Sequence, residues 1–447
     1  MKLCSTRNPQ LECSWREAVL SGLAPDGGLY IPSSLPRSSA SYLKHLTSET
    51  FSAVSEDLAS LFLEDEVPRP LLHKICTEAF NFPLPLRQLD DSTYVLELFH
   101  GPTCAFKDFG ARFMAMLFRF FWGSNQQPLT VLVATSGDTG SAVANAFLDT
   151  SSHPTIRVVI LYPRDKVSTI QRKQMTTLGH NVTACEIDGT FDDCQAIVKR
   201  ALSDQALTNA QALTSANSIN IARLMPQMFY YAFTTLRFPH DSPPTYIVPS
   251  GNLGNITAAL MAHLCGFTTK HLVAACNANA TFPDFLRSGV FSARPSLATI
   301  SNAMDVGAPS NFFRINSLLG SRLESTTISP RSGPAAIFSG YSINDTDTYA
   351  VMREYHSRYG YCLDPHTAVG AVALMRHRDS GESHPPFVIA ATAHPAKFSS
   401  VVQQALGTSP ELPAQLANLL DKPEHRIALS RQYEDFTTLI RSSTFLR

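Results

Sequence analysis

The sequence predicts an α/β protein made of two open, twisted α/β layers behind an N-terminal extension. Three observations carry that expectation. Compact apolar runs are followed by glycine-bearing turns and then by helical stretches, the grammar of parallel βαβ units. The grammar appears over residues 130–202 and again from residue 245 onward. Residues 1 to about 90 lack it and read as short helices broken by turns. With 447 residues, 44% of them hydrophobic and only 16% charged, the chain has material for packed cores and lacks the composition of a disordered protein.

In chain order, Ala24 to Gly28 is a turn before the short strand-like Leu29-Tyr30-Ile31, and Pro68, Pro70, Pro83 and Pro85 mark a connecting region. Thr130 to Thr135 fits a buried strand, Ser136 to Gly140 a turn, and Ser141 to Leu148 a helix. Val158 to Tyr162 is a second strand; the helix from about Ser168 to Leu178 stops at Gly179, which suits a left-handed cap. Val182 to Ile187 and Asp192 to Leu202 complete the next strand and helix. Thr245 to Pro249, the loop Ser250 to Asn255 and the helix Ile256 to Cys265 restart the pattern, followed by the strand His271 to Ala275. Phe387 to Ala391 and Lys397 to Leu406 close it, and Ser242-Pro243-Pro244 marks a seam. The expected division is a mostly helical N-terminal domain over 1–93, a large α/β domain over 94–125 and 236–447, and a small α/β domain over 126–235.

Charge and composition exclude several functions. Lys plus Arg number 36 and Asp plus Glu 37, so no broad basic surface calls for nucleic acid or anionic membrane. No apolar run reaches 18 residues; the best, Met114 to Trp122, is broken by Arg119. The N-terminus shows neither a signal h-region nor an Arg-rich transit pattern, so the expected location is the cytoplasm. The nine cysteines form no CxxC pair and read as free thiols, with no metal site implied.

Four patches carry chemistry. Lys107 sits among Phe106, Phe109, Phe113 and Met114; an apolar setting strips hydration from an ammonium, favours the free amine and lets it attack an aldehyde. Alone, the segment reads more readily as a solvated helix start. Thr135-Ser136-Gly137-Asp138-Thr139 lies where a strand hands over to a helix, a place for a carboxylate or phosphate. Gly251-Asn252-Leu253-Gly254-Asn255 repeats that arrangement, with glycines that admit an anion close to the backbone. Neither loop is a GxGxxG or Walker A sequence. Thr392 ends a strand, where a neutral hydroxyl can meet a heterocycle nitrogen. HExxH and GxSxG are absent. An aldehyde-reactive lysine, two anion cradles and that hydroxyl together suit pyridoxal 5'-phosphate and an amino-acid substrate.

Several strings in one order then resemble the threonine synthase family in its long bacterial and fungal form: Leu96 to Thr103 through Lys107 to Gly110, Ala134 to Gly140, Ser215 to Ile221, Ser301 to Val306 and Thr392 to Phe398, with Gly27 to Tyr30 near the start. The resemblance covers nearly the whole chain. It implies the tryptophan-synthase-β-like fold (type II of the pyridoxal phosphate enzymes), with Lys107 as the Schiff-base lysine. It places the cofactor phosphate on Gly251, Asn252, Leu253, Gly254 and Asn255, and the pyridine nitrogen on Thr392. Asp138, often Asn in related enzymes, falls near the ring hydroxyl, and Thr135, Ser136, Gly137 and Thr139 fall at the substrate carboxylate. The implied reaction turns O-phospho-L-homoserine and water into L-threonine and phosphate, by elimination of phosphate and hydration at Cβ. A lyase releasing 2-oxobutyrate is the close alternative; a non-catalytic cofactor-binding protein is disfavoured by the intact lysine and loops. Two departures stand out: the phosphate loop commonly reads GNFGD and here reads GNLGN, and Cys104 replaces a common leucine. Lys166, Arg172, Lys173, Arg223 and Arg314, with Ser218 and Asn220, are the candidates for the substrate phosphate, and spacing does not choose among them. The resemblance leaves monomer or homodimer open.

Overall fold

The computed structural model describes residues 1–447 except 48, 124, 126, 153, 321–335, 382–384 and 443–447. Two parallel sheets organise it. The larger runs in the order Phe338–Ser342, His271–Cys276, Thr245–Pro249, Phe387–Ala391, Thr93–Glu97, Leu86–Gln88, all parallel except the last pair. The smaller is parallel throughout, in the order Ile427–Ser430, Val182–Asp188, Ile156–Pro163, Leu129–Ala134, Ala212–Ser215. The central strands are buried on both faces, which is why they read as unbroken apolar runs rather than alternating ones.

Helix Lys107–Trp122 links the two sheets. Its buried row, Phe109, Phe113, Met114, Leu117, Phe118 and Phe121, packs on helices Ile221–Thr235 and Asp138–Phe147. Phe109 and Phe113 join a ring cluster with Phe51, Phe80, Phe229 and Tyr230, which fastens the N-terminal helices to this core. Helix Thr169–Thr176 is opened by a capping box in which Ser168 and Gln171 exchange hydrogen bonds. Gly179 has φ +63°, the left-handed conformation expected of it.

The structure departs from the expected outline at both ends. The N-terminal region holds helices Trp15–Ser21, Ala40–Leu46, Phe51–Leu63 and Arg69–Ala79, but also a three-stranded antiparallel sheet of Glu12–Cys13, Leu3–Ser5 and Tyr30–Pro32. Strands of two or three residues leave no period to read. At the other end, residues expected in the large domain return to the small one. Strand Ile427–Ser430 adds its edge, and helix Tyr433–Arg441 buries Tyr433, Phe436 and Ile440 against Cys194, Ile197 and Val198. Among the described residues, no helix is long and apolar enough to cross a membrane.

Candidate active site

The C-terminal ends of four strands converge on one cavity between the sheets, where open parallel sheets hold their ligands. Strand Thr93–Glu97 leads to Lys107, Leu129–Ala134 to Thr135, Thr245–Pro249 to Gly251 and Phe387–Ala391 to Thr392. Lys107, Thr135, Ser136, Asp138, Thr139, the loop from Gly251 to Asn255 and Thr392 all line it. Gly137 does not. Its N–H donates to the Thr135 hydroxyl at 2.9 Å, as does that of Gly140, and at φ +133° it packs so closely on Gln171 that a Cβ would lie 2.4 Å from that side chain. Gly137 therefore shapes the turn and leaves the wall to its neighbours.

Lys107 is nearly buried, with 15% of its side chain exposed. Burial lowers its proton affinity, to about 8; Asp138 pulls it up, and Lys397 and Arg223 push it down. Asp138 Oδ2 lies 4.0 Å from Lys107 Nζ, and Oδ1 lies 2.8 Å from Lys397 Nζ and accepts from Gln171 Nε2 at 2.9 Å. Burial opposes the Asp138 charge, but Lys397 and then Lys107 outweigh it and hold the carboxyl far below its usual range.

The glycine loop is fixed from behind. Asn252 donates to Ser218 Oγ at 2.6 Å and accepts from the Ser310 N–H at 2.5 Å, and its carbonyl accepts from Asn311 at 2.9 Å. A Cβ on Gly251 would lie 2.8 Å from Met304 Cα, so only glycine fits there. Leu253 takes the left-handed φ of +60°, uncommon for leucine, directly before helix Gly254–Leu264. Asn255 Oδ1 accepts from the hydroxyls of Tyr230 and Tyr231 at 2.5 and 2.8 Å, while its buried Nδ2 has no partner.

The basic candidates separate cleanly. Arg172 is paired with Glu424 at 2.9 Å, Lys173 donates to the carbonyls of Leu420 and Lys422, and Lys166 is exposed. Arg314 is fully buried and spends its guanidinium on the carbonyls of Tyr30, Ser218 and Ile219 and on Asn311. None of these four lines the cavity; Arg223 does, and Ser218 with it. Asn220 is consumed as a helix cap, accepting from Ala222 N–H and donating to Val19 and Ser215 carbonyls.

The sequence reading passed over several residues here. Lys397 belongs to one of its motifs, but a lone lysine does not name its partner. Gln171 completes the helix cap with Ser168, and nothing in the sequence signals that it also reaches Asp138. Asn217, which clamps both backbone groups of Ala134, and Lys199, at the cavity wall, carry no signature. His366 also lines the cavity, paired to Asp364 at 2.9 Å and accepting from the Ala303 N–H.

A buried lysine heading a helix, a glycine loop heading a second helix and a hydroxyl at a strand end define a pyridoxal phosphate enzyme of fold type II. The sequence model described as "pyridoxal-phosphate dependent enzyme" matches residues 78–392. Those described as the N terminus and the C-terminal part of threonine synthase match residues 2–80 and 367–440. Threonine synthase of Escherichia coli strain K12 is 41% identical over 425 residues, 95% of each chain. The crystal structure of the Escherichia coli threonine synthase superposes with a TM-score of 0.89 at 39% identity, covering 98% of this chain and 99% of that one. A threonine synthase from Brucella melitensis with bound PLP gives 0.90 at 34% identity, covering 99% of each. The chain belongs to the threonine synthase family.

The residues present fit the family's cofactor. A phosphate needs donors, and the orphaned Asn255 Nδ2 and the N-terminus of helix Gly254–Leu264 are donors at one end of the cavity. An aldehyde needs a neutral amine, and burial lowers the proton affinity of Lys107 to about 8, so that the free amine is far more accessible near neutral pH than for an ordinary lysine.

Proposed function

We propose that the chain converts O-phospho-L-homoserine and water to L-threonine and phosphate, with Lys107 as the lysine that holds pyridoxal phosphate. The single observation that carries this reading is the convergence of Lys107, the Gly251 to Asn255 loop, Thr392 and Arg223 on one cavity. Bound there, pyridoxal phosphate supplies an aldehyde for the substrate amine and an electron sink for the chemistry at Cα and Cβ. Gly251, Asn252, Leu253, Gly254 and Asn255 would hold its phosphate, and the neutral hydroxyl of Thr392 would meet its ring nitrogen. Asp138 would lie near its ring hydroxyl. Ser136 and Thr139, with the turn that Thr135 and Gly137 build, receive the substrate carboxylate. Lys107, once displaced, takes the Cα proton and returns one at the end. Arg223 and Ser218 hold the leaving phosphate. The protein acts in the cytoplasm, as monomer or homodimer.

One incubation with O-phospho-L-homoserine tests the reading, with phosphate, threonine and 2-oxobutyrate measured together. Equal phosphate and threonine support it; phosphate with 2-oxobutyrate makes the protein a lyase; no phosphate from cofactor-loaded protein removes the substrate assignment.

Two further results are expected. Full-length protein freed of cofactor should take up pyridoxal phosphate at a rate that rises about tenfold per pH unit below about 8 and levels off above it, because only unprotonated Lys107 attacks. A flat stopped-flow profile between pH 6 and 8 would count against it. Asn255→Asp should weaken cofactor retention by roughly tenfold, since it replaces a free donor with a like charge facing a phosphate. Equilibrium dialysis measures this directly, and unchanged or tighter retention contradicts it.

A further inference from the structure

Lys397 is a buried cation to which the chemistry above gives no task. Its side chain is 0% exposed, and Nζ lies 2.8 Å from Asp138 Oδ1 and 2.8 Å from the Thr103 carbonyl. Gln171 Nε2 holds the same Oδ1. One carboxylate oxygen is thus held twice, while the other stops 4.0 Å from Lys107, beyond a hydrogen bond but well inside Coulombic reach. A carboxylate free to turn would close on Lys107 as a direct ion pair, and the lysine would keep its proton.

We propose that Lys397 is a positioning residue: it neutralises Asp138 and, with Gln171, holds that carboxylate off Lys107, so that the Lys107 amine gives up its proton more readily. The inference deepens the reading of Lys107 as the reactive amine and rests on it. Lys397 also fastens the turn leading into Lys107 by bonding the Thr103 carbonyl, which Gln174 shares at 3.0 Å. The other charged groups around the cluster are differently engaged. Asp108 accepts from the N–H and hydroxyl of Thr103, His366 pairs with Asp364, and Arg223 bonds the Ala216 carbonyl. Arg223 and His366 contribute at longer range, to Lys107 and to Asp138 respectively, and Lys397 is the cation in contact with Asp138.

The test is a spectrophotometric pH titration of the visible band of the bound cofactor, in the holoenzyme and in Lys397→Met and Lys397→Gln. Both neutral variants should move the midpoint upward by about one unit or more, since an uncompensated carboxylate favours the protonated nitrogen beside it. Asp138→Asn should move it downward, and adding Lys397→Met to that background should shift it much less than in the parent. Cofactor uptake by the full-length cofactor-free Lys397→Gln chain should be about tenfold slower at neutral pH and recover on raising the pH by about one unit. If Lys397→Met does not fold, Lys397→Gln still carries the test, because its amide remains a donor to the buried oxygens. Midpoints unchanged or lowered in the Lys397 variants, or unchanged in Asp138→Asn, overturn the proposal. A parent enzyme with no cofactor band at all would instead overturn the reading of Lys107.

Discussion

Lys107→Ala is expected to lower threonine formation by about 10⁴-fold, the upper end of what a positioned general base contributes. The variant should also lose the visible band that a lysine-bound cofactor gives. Both losses trace to one atom. Lys107 Nζ is the amine at the head of helix Lys107–Trp122, and burial lowers its proton affinity to about 8. Lys397 cannot replace it, because its Nζ is already bound to Asp138 and the Thr103 carbonyl. The fold should survive, since the apolar row of the helix from Lys107 to Trp122 begins at Phe109 and is untouched. Assay of phosphate and threonine alongside the absorption spectrum checks both halves. Turnover near the parent rate would remove Lys107 from the chemistry altogether.

The parts of this site that the sequence disclosed are those made within one strand–loop–helix unit. Strand ends such as Ala134 and Pro249 announce themselves by apolar runs that stop at glycines, and the loops that follow face the cavity. What stayed hidden depends on pairs brought together by tertiary structure. Asp138 and Lys397 stand far apart in the chain, and nothing in either local segment requires the other. The edge strand Ile427–Ser430 is short and partly exposed, without a buried strand's apolar run, and its place follows from the neighbouring strand Val182–Asp188 offering a free edge. The five basic candidates looked alike in sequence because each is a cation near a motif. Their partners separate them: Glu424 for Arg172, backbone carbonyls for Lys173 and Arg314.

That separation sets the second large expectation, on Arg223. The residue is 2% exposed, and its guanidinium gives Nη1 to the Ala216 carbonyl at 2.6 Å and leaves Nε buried without a partner. Burial lowers its proton affinity, to about 10, and Asp108 partly opposes this, so it remains charged at neutral pH. A buried cation without a contacting carboxylate is costly unless an anion completes it. The substrate phosphate is such an anion, and Ser218 lines the same wall. Hydrogen bonds to charged groups contribute about 1.5–3 kcal/mol each, so Arg223→Met should raise KM for O-phospho-L-homoserine by roughly 10- to 100-fold. Arg223→Lys should recover part of the loss, because it keeps the charge without the planar fork. The cofactor band should persist in both variants, which separates lost phosphate binding from a collapsed site. Inhibition by inorganic phosphate should weaken in parallel. An unchanged KM in folded, cofactor-loaded Arg223→Met would mean that the substrate phosphate is held elsewhere, with Lys199 on the cavity wall the next residue to replace.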